Sequence, residues 1–507
     1  IAAANKDYTK IKNLKITGEV NANDFYFMRD SMSVLSSLNL KEVCIKAWTN
    51  PNDTGEKYLE DKIPVAAFYA QGGGGNSTLV NLVLPDKLKA IGDNAFTGCK
   101  NLTGSLIIPE GVTEIQRGAF TGCSSLNGTL SLPSTLKKLG TSGDGPDKDY
   151  KDEGIDYYNG VFQGCNNLTG NLIIPDGVEI IRGYCFDNCS GFYGELKLPS
   201  KLKKLGDRAF FLCKNLTGSL EIPQGVSAIP NETFNGCGFN GTLTLHDGIT
   251  SVGQSAFGDN SFKGELHLPK GLKVIADYAF YNNDFSGKLN IPSTVSRIGN
   301  KAFAYNWRIM GTLEFPEGLE SIGAGAFANC RSLEGLIFPE TLENIRWEPT
   351  WTDDGGAFQY CYGINSIVCK STMPPHVYKQ VFDGVAKDNF TLEVPESAIQ
   401  QYQAASGWCD FKRIAAHHEL VCRPSVACAL STEHKQTLVI NAEGDWEVAS
   451  KPDWCEVSPS SGSKKTEVTL TIKGMAKNAD NREGKVVFRL KDKDYTHECS
   501  VTQYGYE

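Results

Sequence analysis

The 507-residue sequence has no uninterrupted apolar run long enough to cross a membrane as a helix. It also lacks a basic excess, since 50 Lys and Arg stand against 59 Asp and Glu for a net charge of -9. That balance argues against nucleic acid or an anionic membrane surface as a partner. No phosphate-binding loop, HExxH, GxSxG or paired CxxC occurs. The glycines that follow Gln71 are not followed by the Lys-Ser or Lys-Thr pair of a phosphate loop, so they read as a flexible turn. The 7 His are scattered: His246 and His267 read as lone exposed imidazoles, and His417-His418 as a solvated linker. No catalytic residue, cofactor or metal site is expected. The opening IAAANKDYTK shows no charged-then-apolar leader, which leaves open a cytoplasmic protein or one whose export signal has been removed.

What is present is a period. The composition, 40% hydrophobic and 21% charged, is that of a folded chain, and its length asks for more than one domain. A Phe recurs at Phe96, Phe120, Phe162, Phe186, Phe210, Phe234, Phe257, Phe280, Phe303, Phe327, Phe358 and Phe382, mostly every 23 or 24 residues, with a weaker first unit at Phe68. A prolyl unit keeps the same beat from Pro85 to Pro339, with His246 in the one vacant slot. In the unit LTGSLIIPEGVTEIQRGAFTGC (102–123), Leu106 and Ile108 mark a short strand that stops at Pro109, which cannot donate to a ladder. Val112 and Ile115 lead through a second extended piece to Phe120. A unit this short buries its apolar side chains only by stacking on its neighbours, so the chain is a solenoid. Residues 11–48 suit an N-terminal cap, with a helix near Asp24–Ser37 and Asn23 as its N-cap. ESAIQQYQAASGW, after Val394-Pro395, suits a short closing helix that stops at Gly407.

Sixteen Cys raise the question of disulfides or zinc. Eight of them, Cys99, Cys123, Cys165, Cys189, Cys213, Cys237, Cys330 and Cys361, sit three residues after the repeat Phe, and Asn260, Asn283 and Asn306 hold that slot in other units. Asn forms no disulfide, but it shares with Cys a small donor that can reach a backbone carbonyl. The slot therefore predicts a ladder of buried, reduced thiols.

The pattern L-x-I-P…V-x-x-I…A-F-x-x-C over residues 60–416 resembles the BspA-like leucine-rich repeats of bacterial surface proteins, and VPESAIQQYQAASGWCDFKRI resembles their closing segment in Bacteroidetes. Beyond Ile414 the period stops. TLVINA, WEVAS, EVTLTIKG, KVVFRLKD and CSVTQYG alternate like strands of a sandwich. WCEVSPSSG, NREGKVVF and the final VTQYG resemble the BACON domain. The expected architecture is a leucine-rich-repeat solenoid, mostly β and irregular with short helices at the caps, plus an all-β immunoglobulin-like sandwich. Its divisions are a cap at 1–60, the solenoid with its C-terminal cap at 61–416, and the sandwich at 417–507. The resemblances imply an exported, cell-surface or outer-membrane-associated adhesion protein, expected to be a monomer, that binds host or envelope protein, or a mucin-like glycan. A spacer or scaffold contacting other envelope proteins is the alternative.

Two insertions, 141–158 and 347–355, leave the coil after the V-x-x-I strand. The first supplies Tyr150, Tyr157 and Tyr158 among acids; the second supplies Trp347 and Trp351 beside Asp353 and Asp354. Aromatic planes with adjacent carboxylates suit sugar recognition, because ring faces stack and hydroxyls need acceptors. The insertions are eight coils apart, roughly 40 Å, so they do not form one small-molecule pocket. Trp446 and Trp454 each begin an alternating strand and are expected in the sandwich core.

Overall fold

The computed structural model describes residues 7–50, 53–70, 74–141, 159–349, 355–417, 420–424, 426–430, 432–476, 479–493 and 495–505. The chain forms two compact units, Ile1–Leu392 with Gln400–Ile414, and Glu393–Ile399 with Ala415–Glu507.

In the first unit each repeat makes one coil with three sides. The first side is the strand before the Pro: Leu106–Ile107 pairs in parallel with Leu130–Ser131, Leu106 directly beside Leu130. The second is the V-x-x-I strand. Lys62–Ile63, Ala90–Ile91, Glu114–Gln116, Lys138–Thr141, Ile180–Ile181 and Lys204–Leu205 form one parallel sheet in sequence order. Val274–Ile275, Arg297–Ile298, Ser321–Ile322, Asn344–Ile345 and His376–Val377 form another. Their inward residues, from Ile63 to Val377, are buried.

The third side is a turn built around the Phe. Its amide donates to the next coil, as in Phe96 N–H to Ala119 O at 2.8 Å and Phe210 N–H to Thr233 O at 2.9 Å. In most coils φ is positive both two residues before and two after the Phe, as at Gly118 (+69°) and Gly122 (+71°). Thirteen Phe rings, from Phe68 to Phe382, stack face to face in one unbroken column with centroids 5.2 to 5.8 Å apart. The spacing is that of offset aromatic pairs, and the column runs past both insertions without a break.

The Cys slot is a ladder. Cys123, Cys165, Cys189, Cys213, Cys237, Cys330 and Cys361 each donate S–H to the carbonyl of the Phe in the preceding coil, at 3.0 to 3.2 Å. Asn260, Asn283 and Asn306 donate Nδ2–H to the same carbonyl at 2.9 to 3.0 Å. All sixteen cysteines are free thiols.

At the N-terminal end, strands Asn13–Val20 and Ser37–Ile45 pair in parallel and extend to Asn81–Val83. The helix between them runs Ala22–Ser31, shorter than expected, and its N-cap is Asn21 rather than Asn23. Asn21 Oδ1 accepts from Asn23 N–H while the Asn21 backbone N–H donates to Asp24 Oδ2, and this reciprocal pair fixes the start. The chain leaves helical geometry at Met32 (φ -102°, ψ 70°), and the strand begins at Ser37. Phe25 meets Phe68 edge-on and covers the first ring of the column. At the other end the short helix Ile399–Ala404 precedes Gly407, which has φ +79°. Trp408 packs against Phe382 and donates Nε1–H to Pro375 O at 2.9 Å.

In the second unit two sheets enclose one core. One orders Leu420–Arg423, His434–Ala442, Thr466–Ile472 and Cys455–Ser458; the other orders Val426–Ala429, Thr496–Gln503, Arg482–Leu490, Asp445–Ser450 and Ser461–Ser463. Trp446 is fully buried in that core, as expected. Trp454 is not. It is half-buried against the core, with the Arg482 guanidinium 4.5 Å above its ring.

Two histidine expectations also need correction. His246 is not a lone imidazole: Nδ1 accepts from Gly248 N–H, and Nε2 lies 3.1 Å from Pro223 O, so the ring bridges two coils where other units have Pro. His417 is not free solvated linker, because Nδ1 lies 2.7 Å from Glu393 Oε2. His418 lies outside the described residues.

Candidate functional site

Both insertions leave the C-terminal ends of V-x-x-I strands, at Thr141 and after Ile345. Tyr150, Tyr157, Tyr158, Trp351, Asp353 and Asp354 lie outside the described residues. Trp347 lies within them and marks the neck of the second insertion. It forms an antiparallel bridge with Gly356, and Glu348 N–H reaches Gly355 O at 3.3 Å. Gly355 is required there, because a Cβ would sit 1.6 Å from Glu348 O.

Register brings partners to Trp347. Asn344 pairs with His376 and Ile345 with Val377, so the residues that follow, Trp347 and Tyr378, also meet across adjacent coils. Their ring centroids are 5.9 Å apart at 43°, and His376 stands edge-on to Tyr378 at 5.1 Å. Asn344, Ile345, Arg346, Trp347, Glu348, His376 and Tyr378 line a cleft of about 520 Å³. Trp347 is half-buried, whereas Tyr378 keeps 46% of its surface exposed. The cleft joins aromatic faces to donors (Asn344, Arg346, His376) and one carboxylate acceptor, Glu348. A pyranose needs that combination, with ring faces for its C–H groups and polar groups for its hydroxyls. Among the described residues, no group of three or more His, Cys, Asp and Glu is placed to hold a metal ion.

The coil geometry agrees with a family-model match. The model of the "BspA type Leucine rich repeat region" matches six copies over residues 62–142, 156–286 and 240–348, together more than half of the chain. The chain belongs to the BspA-type leucine-rich-repeat family. Residues 444–504 of this BspA-type protein also match the BACON model, described as a binding domain. Among solved structures, a leucine-rich repeat protein from Bacteroides ovatus is 22% identical, with 81% of this chain and 85% of that chain covered and a TM-score of 0.47. A leucine rich cell surface protein from Faecalibacterium prausnitzii is 19% identical over 64% of this chain and 86% of that one, with a TM-score of 0.32. The T. pallidum leucine rich repeat protein is 24% identical over 39% and 69%, with a TM-score of 0.25. No curated protein matches the chain. The BspA-type chain thus combines two surface-type modules of protein- or carbohydrate-binding kind. Among its described residues, no helix is long and apolar enough to cross a membrane.

His376 and Tyr378 were not singled out from sequence. They belong to the coil of Phe382, and only the register with Asn344–Ile345 places them beside Trp347. The residue two before the Pro of each unit forms an outward strand row, in which Ile107 and Ile173 are 66% and 71% exposed. Ile337, at the far end of that row, is half-buried.

Proposed function

We propose that this is an exported, surface-associated binding protein that recognises a mucin-like glycan at the cleft of Trp347, His376 and Tyr378, and that it catalyses no reaction. The observation that carries this reading is the convergence of three aromatic rings with Asn344, Arg346 and Glu348 in one cleft at the insertion edge. Trp351, Asp353 and Asp354 belong to the same insertion and extend the site in this proposal. Tyr150, Tyr157 and Tyr158, on the first insertion, are proposed as further binding residues on the strength of their sequence alone. The two matched models are a leucine-rich repeat region and a binding domain, which supports a reading without catalysis.

The test is a tryptophan-fluorescence titration of the full chain with mucin-derived O-glycans. A saturable change is expected, and Trp347→Ala should abolish it while leaving the melting temperature in place. Equal affinity in that variant sinks the reading.

A second reading, contact with a host or envelope protein as adhesin or scaffold, is favoured by the exposed Ile107 and Ile173 on the outward strand row. It predicts that Ile107→Asp with Ile173→Asp releases a bound protein partner, while Trp347→Ala does not.

A further inference from the structure

A second aromatic surface lies on the turn side of the solenoid, in a repeat slot that the Trp347 cleft does not use. Trp307, Arg331 and Tyr362 each stand four residues after the column Phe of three successive coils, those of Phe303, Phe327 and Phe358. The Arg331 guanidinium carbon is 5.5 Å from the Trp307 ring centroid and 5.8 Å from that of Tyr362, so one cation lies between two aromatic planes. Both rings stay open, at 50% and 55% exposure. Tyr360 joins from the same coil as Tyr362, with centroids 6.0 Å apart.

The cluster is held from below. Arg331 Nε and Nη2 donate to Asn329 Oδ1 at 3.3 and 3.0 Å, and Asn329 is buried with its amide bonded to Gln359 O at 2.9 Å. Ser332 Oγ donates to Trp307 O at 2.7 Å and ties that backbone to the next coil. The guanidinium is therefore fixed in direction, with Nη1 left over.

A comparison inside the same solenoid shows what is missing. Arg208 also lies over aromatic rings, 3.6 Å from Phe211 and 5.4 Å from Tyr184. There the charge is neutralised on both sides, by Asp187 at 3.2 Å and Glu232 at 3.0 Å. Arg331 has a neutral amide in place of those carboxylates, and among the described residues no carboxylate pairs with it. An exposed, oriented guanidinium between open aromatic faces, with no carboxylate partner among the described residues, is suited to take an external anion.

We propose that Trp307, Arg331 and Tyr362 form a binding site for an acidic saccharide. Sugar ring faces lie on Trp307 and Tyr362, and a sugar carboxylate accepts from Arg331 Nη1. The two aromatic side chains are two coils apart, roughly 10 Å, so neighbouring sugar units of one oligosaccharide engage them together. A peptide strand fits less well, because the turn backbone here is bonded coil to coil and offers no strand edge to extend. The site is independent of the Trp347 cleft, so either can fail without the other.

The experiment is calorimetric titration of the full chain with tetragalacturonate and with sialyllactose, using the methyl ester of the first and lactose as neutral partners. Binding to at least one acidic probe is expected, weaker for its neutral partner and weakening as salt is raised. Arg331→Gln and Trp307→Ala should each lower that affinity at least about tenfold. Trp347→Ala should leave it unchanged, and melting curves should show all three variants folded. The proposal is overturned by binding to neither acidic probe, by equal affinity for acid and neutral forms, or by loss in Trp347→Ala alone. If the Arg331→Gln variant instead loses binding to an acidic peptide and keeps the sugars, the platform serves a protein.

Discussion

The ladder cysteines are donors, and their burial keeps them so. Desolvation pushes the thiols of Cys99, Cys237 and Cys330 up to about 12, far from the thiolate needed for alkylation or disulfide exchange. Iodoacetamide at pH 8 on the folded protein is therefore predicted to label exposed Cys409 and Cys428 first, with the ladder reacting only in denaturant. Rapid native labelling at Cys213 or Cys330, read by peptide mass, would contradict this. Asp93 is a second residue-scale case. Its Oδ1 is buried without a hydrogen-bond partner, and burial raises its pKa to about 6 despite nearby Arg117 and Lys62. A raised carboxyl pKa means that the folded state binds the proton more tightly than the unfolded one. Its cost is thus absent below the unfolded value near 4, grows as pH rises towards 6, and is complete above that. Asp93→Asn should stabilise the protein at pH 7.5 by about 2–3 kcal/mol and give no gain at pH 3.5. Denaturant melts of both proteins at the two pH values check the difference.

At the scale of the coil, the thirteen-ring column and the coil-to-coil amides make each repeat depend on its neighbours. Removing one buried ring, as in Phe210→Ala, is predicted to cost about 3–5 kcal/mol in a denaturant melt. Gly122→Ala isolates the turn. A Cβ there meets nothing closer than 3.9 Å, so the expected loss of about 1–2 kcal/mol comes from the left-handed backbone alone. No loss would mean that the turn adjusts freely. The coil was legible in the sequence because Phe, Pro and Cys each recur in a fixed slot, and an in-register stack turns such recurrence into columns. The left-handed slot was not legible, since Leu212, Tyr305 and Tyr360 occupy it as well as Gly and Asn. Trp347 was legible as an aromatic on an insertion. His376 and Tyr378 were hidden because their contact with it crosses an insertion and depends on strand register. Trp307, Arg331 and Tyr362 carry a readable signal, a shared position four residues after the column Phe, but they lie on regular coils and not on an insertion. The helix start slipped by two residues because two asparagines, Asn21 and Asn23, compete in sequence, and the reciprocal bond to Asp24 decides between them.

For the whole molecule, the proposed binding chemistry sits where side chains depart from the repeat of the BspA-type solenoid. Its regular slots are filled by Leu, Ile, Phe and Cys and are buried. Among the described residues, the insertion edge with Trp347 and the turn platform with Arg331 are two such departures, and both pair aromatic faces with polar groups. The most direct test of that account is a glycan array that includes mucin-type structures, probed with the native full chain, Trp347→Ala and Tyr378→Ala. The account predicts a defined set of neutral glycans bound by the native protein and lost in both variants, each of which melts as the native chain does. Retention of the same neutral glycans by both variants, or no binding of neutral glycans by the native chain, would contradict it.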